Sequence, residues 1–149
     1  MEQFERVKRY YERFKEIDEG RQHCLPSAYY EDDVYSFFIN CHHLKDCIIN
    51  GNTITKETVE DFIEKNDCLK ICADICNGVK HLNRKPALIR SGKERKIEFK
   101  AYNVTISEGA GAPPPAIRIK FFIEENLDTF KVATECVQKW EEFINKNIV

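Results

Sequence analysis

The segment Asp74-Ile75-Cys76-Asn77-Gly78-Val79-Lys80-His81 gathers most of the residue types in this chain that can move a proton or hold an anion. Lys70, Asp74, Asn77 and His81 are spaced by three and four, so on a helix they form one polar strip. Histidine changes charge near neutral pH, and a carboxylate one or two turns away can orient or charge it. His81 and Asp74 are therefore a candidate acid–base pair, with Asn77 and Lys80 beside them. A second group stands at His42, His43, Lys45 and Asp46. His42 and Asp46 are four apart on one helix side. Lys45 falls among apolar positions, where an ammonium is costly unless its stem snorkels or it meets a carboxylate such as Asp46 or Asp74.

His42, Asp46, Asp74 and His81 also carry metal-ligand atoms at helical spacing, which keeps a small metal-binding helical protein open as an alternative. No Glu-x-x-His pair or His-Glu-x-x-His run accompanies them, so no metal and no other cofactor is assigned. Cys68, Cys72 and Cys76 follow every four residues, the spacing of a packed helix stripe. Zinc sites more often use Cys-x-x-Cys on a turn, so these thiols are expected to be small core residues. Gly92-Lys93 is followed by Glu94, and position 87 is Ala, so no phosphate-cradling P-loop exists. Gly109-Ala110-Gly111 lacks the third glycine of a dinucleotide fingerprint and runs into Pro113-Pro114-Pro115 where a helix would have to start.

From Arg84 to Lys100 seven basic residues face only Glu94 and Glu98, a net of +5. Arg118 and Lys120 alternate with apolar residues further on. They are expected to share the outer face of a hairpin with Lys96 and Lys100, as a phosphate-tracking surface or as charged protection of an edge strand.

These residues must be positioned by elements that the apolar spacing predicts. Phe4, Val7, Tyr10, Tyr11, Phe14 and Ile17 mark a helix over about 3–17, closed by Asp18-Glu19-Gly20. Ser27 caps a second over about 28–49, with Val34, Phe37, Phe38, Cys41, Leu44 and Ile48 inward. Thr55 caps a third, about 55–65, and Leu69, Ile71, Cys72, Ile75, Cys76, Val79 and Leu82 mark a fourth, about 68–82. Alternation predicts a hairpin over about 95–123, with a bulge near Ala101 where the phase changes and a Gly/Pro-rich tip at 109–115. A last helix, about 128–147, would bury Phe130, Ala133, Cys136, Val137, Trp140, Phe143 and Ile144. The expected fold is mainly α: a four-to-five-helix bundle with a β-hairpin inserted before the C-terminal helix, in a single domain spanning 1–149.

Composition agrees with a packed chain: 42% of the 149 residues are hydrophobic and 32% charged, too apolar for a disordered protein. A formal net charge of −2 leaves no overall field to draw the molecule onto nucleic acid or anionic lipid. The least polar run, Val34 to Leu44, is short and holds Asn40, His42 and His43, so no membrane span is expected. Charges at Glu2, Glu5 and Arg6 do not suit a signal peptide, which implies a cytoplasmic protein whose seven cysteines are reduced.

Cys76-Asn77-Gly78-Val79-Lys80-His81 resembles the signature of the HEPN superfamily: an arginine, a polar residue that is often Asn, three variable residues and a histidine. The resemblance implies a small helical bundle that dimerises. It also implies, in many members, a metal-independent ribonuclease of toxin–antitoxin or phage-defence systems, with His81 catalytic and Asn77 its polar companion. Cys76 stands where the arginine belongs, and a neutral thiol cannot stabilise a phosphorane as a guanidinium does. Lys80, Lys70 and Arg84 are the cations near enough in sequence to replace it. The departure favours a degenerate, non-catalytic module, a homodimer that binds RNA or a protein partner. A ribonuclease using His81 is the alternative.

Overall fold

A computed structural model describes residues 1–51, 54–80, 89–124 and 126–148, with the side chains of Lys80 and Phe99 left aside. The chain is mostly helical, with a small three-stranded antiparallel sheet. Its elements run α1 (Glu2–Glu19), α2 (Ser27–Gly51), α3 (Lys56–Glu64), α4 (Asp67–Lys80), β1 (Phe99–Thr105), β2 (Ala116–Glu124), β3 (Leu127–Asp128) and α5 (Thr129–Asn147).

Two of the helices begin where a side chain satisfies one of their first free N–H groups. Thr55 accepts from Thr58 N–H at the start of α3, and Asp128 accepts from Phe130 N–H at the start of α5. All six apolar residues expected to line α2 are buried. On α1, Phe4, Val7, Phe14 and Ile17 are buried while Tyr10 and Tyr11 are partly covered. On α4, Leu69, Cys72, Ile75 and Cys76 are buried, but Val79 is exposed. Rings of three helices meet in the core: Phe14 lies edge-on to Phe38 of α2 and Phe130 of α5. Trp140 of α5 packs beside Phe62 of α3. Among the described residues, no helix is long and apolar enough to cross a membrane.

Sheet order is β1-β2-β3. The β1–β2 ladder pairs Phe99 with Phe122 through Thr105 with Ala116 without a shift, so the bulge expected near Ala101 is absent. An irregularity lies instead between Phe122 and Glu124, where β2 meets the short β3 that the sequence reading did not anticipate. Arg21, in the loop after α1, exchanges two backbone hydrogen bonds with Ile117 of β2 and ties that loop to the sheet.

Candidate functional site

Asp74 sits in the middle of α4 and is fully buried. Its carboxylate accepts from the backbone N–H of Arg90 at 2.9 Å, the backbone N–H of Ser91 at 2.6 Å and the Ser91 hydroxyl. Three donors satisfy a charge that would be costly to bury alone. Asp74 therefore does not line an outward-facing strip with its neighbours; it pins residues 90 and 91 to α4. The segment beyond runs close to the same helix, because a Cβ at Gly78 would stand 3.0 Å from the Arg95 carbonyl oxygen. Asn77 is half-buried nearby. His81, Arg84 and Lys85 lie outside the described residues, as does the side chain of Lys80.

Beside Asp74 a pocket of about 230 Å³ is lined by Asp67, Lys70, Ile71, Ser91 and Arg95. Its cations are engaged within the chain. Lys70 lies 3.0 Å from Asp67, and the Arg95 guanidinium donates to Ser91 and to Glu124.

On α2, Lys45 does meet a carboxylate, but it is Glu60 of α3 at 3.1 Å rather than Asp46 or Asp74. Arg90 binds the same Glu60 and also reaches Glu64. Burial alone would raise the Glu60 pKa, yet the hydrogen bonds from Arg90 and Lys45 outweigh it and hold this carboxyl below 4.5. Asp46 pairs with His43, 3.5 Å away, while His42 is half-buried and engaged with its neighbours.

The hairpin cations do not share one face. Lys100 stands opposite Phe121 in the ladder, whereas Arg118 and Lys120 stand opposite Asn103 and Ala101, on the other side of the sheet. Each has an internal partner. Lys100 pairs with Glu31, which raises its pKa; Arg118 donates to the Asp18 carbonyl; Lys120 pairs with Asp18 and Asp128. Lys96 lies 3.9 Å from Glu98, and Lys93 pairs with Glu124.

No family model, curated protein or solved structure matches this chain.

Among the described residues, three possible metal ligands that the sequence offered only as core filling converge. Cys41 of α2, Cys72 of α4 and Cys136 of α5 are buried with their sulfurs within 4.8 Å of one another. Spacing could not reveal the set, because only Cys72 belongs to the stripe at 68, 72 and 76. Hydrogen bonds from Cys136 and Cys72 favour the thiolate at Cys41, while burial pushes the Cys72 and Cys136 thiols up. A further histidine that the sequence reading did not weigh, His23, packs edge-on against Tyr30, with ring centroids 4.2 Å apart. Burial, with Arg21 adding to it, lowers its pKa.

Proposed function

We propose that this chain is a HEPN-like helical-bundle module that has given up nuclease chemistry and acts through protein contacts, first of all with a second copy of itself. The observation that carries the reading is the state of the cations. The described basic residues around the α4 pocket and on the hairpin are bonded to carboxylates or a carbonyl of the same chain. A phosphate backbone would have to displace those partners one by one, and among the described residues near Cys76 the guanidiniums of Arg90 and Arg95 are paired with Glu60 and Glu124. The carboxylate expected to pair with His81, Asp74, is likewise occupied in holding residues 90 and 91.

The binding face fits protein better than RNA. β1 is an edge of the sheet, and Tyr102, Val104 and the following Ile106 are 58%, 53% and 69% exposed. An apolar edge strand left open invites uncontrolled pairing, so folded proteins cover such edges or guard them with charge.

Two measurements on the folded protein test the reading. Mixed RNA in excess chelator should stay intact with both the natural sequence and His81→Ala. Sedimentation should show a dimer that Val104→Lys with Ile106→Lys converts to monomer. Cleavage that persists in chelator and vanishes in His81→Ala would restore the ribonuclease, and a monomer at all concentrations would remove the dimer.

A further inference from the structure

We propose that Cys41, Cys72 and Cys136 form a metal site, binding one thiophilic d10 cation as thiolates where α2, α4 and α5 meet. Small buried thiols pack well in any core. Two features set this group apart from core filling.

The first is convergence. Three sulfurs from three helices lie within 4.8 Å of one another. A metal with sulfur bonds of about 2.3 Å holds its thiolates about 4 Å apart, so closing the ring needs movements of an ångström or less. The second is an orphaned donor. Trp140 is 1% exposed and its indole N–H has no partner in hydrogen-bond geometry, although it lies near enough to Cys41 to favour that thiolate. A buried N–H without an acceptor is costly, and a neutral thiol is a weak acceptor. A metal-bound thiolate would accept this hydrogen bond, the kind of outer contact that accompanies metal ligands.

Two of the thiols have a carbonyl within reach as an alternative acceptor to Cys41: that of Phe38 is 3.5 Å from Cys72 Sγ and that of Cys68 is 3.3 Å from Cys136 Sγ. Metal binding sends the thiol protons to solvent, so affinity must rise with pH. Three thiolates satisfy a trigonal monovalent ion. A divalent ion prefers a fourth ligand, and Cys68, next to Cys136 but outside the three-sulfur cluster, would have to turn toward it to supply one.

The test uses the full chain carrying Cys24→Ala and Cys47→Ala, which removes the two thiols outside the core. Reduced, chelator-stripped protein is titrated without oxygen, with Cu(I) against a competing chromophoric chelator and with Co(II) as the spectroscopic stand-in for Zn(II). The expected result is one equivalent bound by thiolates, tighter at higher pH and lost in Cys72→Ala and in Cys136→Ala. Dependence on Cys68 would mark the divalent, four-sulfur form, and indifference to Cys68→Ala the monovalent three-sulfur form. Trp140→Phe keeps an aromatic ring but removes the N–H, and should weaken binding about 10-fold. Circular dichroism confirms that each variant is folded. No stoichiometric binding of either ion, or binding unchanged when Cys72 and Cys136 are removed from folded protein, would overturn the site.

Discussion

Glu60 shows how one carboxylate organises the polar side of this molecule. It lies between Lys45 of α2 and Arg90, and these two cations hold its pKa down against burial. The folded-state value lies below 4.5, so the network adds stability at neutral pH that is lost as pH falls through that lowered value. Glu60→Gln should cost about 1–3 kcal/mol at pH 7, because it leaves two charged donors with a neutral acceptor. Urea midpoints of both proteins, measured from pH 7 downward, should converge once the natural carboxyl is protonated. A gap that stays constant down to pH 3 would mean the ion pairs do not supply it. That Lys45 must either snorkel or meet a carboxylate was legible from its place among apolar residues, and its partly buried pairing with Glu60 decides for the carboxylate. Which carboxylate was not legible, because Glu60 lies on another helix and only the packing of α2 against α3 brings it near. Asp74 taught the same lesson in reverse: its spacing fitted a solvent-facing strip, but residues 90 and 91 close over it.

At the scale of elements, the helices were readable because their buried residues recur every three or four positions, and Thr55 marked a start. The sheet was readable only in part. β2 alternates cleanly, with Ile119, Phe121 and Ile123 buried. In β1 the apolar residues change phase, which suggested a bulge, yet the ladder is regular and Tyr102 and Val104 simply lie beyond the core. Apolar pattern reports burial only where something covers the strand. Nor did a pattern announce the contact that anchors the α1–α2 loop. Gly20 has a φ of +106°, and a Cβ there would lie 2.7 Å from Cγ of Arg118. Arg118 is held where it is by its bond to the Asp18 carbonyl. Gly20→Ala should therefore destabilise by about 1–3 kcal/mol through backbone strain and this clash. Gly51→Ala, where a Cβ meets nothing and φ is ordinary, is the control and should be neutral or slightly stabilising. Equal midpoints for the two variants in urea would show that the loop yields without cost.

Across the whole molecule, α5 joins the parts that the polar networks do not. Its Trp140 packs on Phe62 of α3 and lies against Phe143 of its own helix, while Cys136, one turn earlier, meets the thiols of α2 and α4. The sequence identified this helix and its tryptophan from periodicity alone. The meeting of three helices at 41, 72 and 136 was hidden, because residues so far apart come together only through tertiary packing. A change at Trp140 should therefore be felt by the entire fold and not by α5 alone. Trp140→Ala removes the largest fully buried side chain from a site walled by several elements, which limits how far the gap can close. The expected cost is about 3–5 kcal/mol, a large fraction of the total stability of an ordinary domain. Because Trp140 is the only tryptophan, unfolding has to be followed by far-ultraviolet circular dichroism rather than indole fluorescence. The urea midpoint should fall steeply while the slope of the transition stays unchanged, the signature of lost stability in a chain that still unfolds as one unit. A shallow two-step transition would show that α5 can come away by itself, and a midpoint close to that of the natural protein would show that Trp140 does not anchor the core.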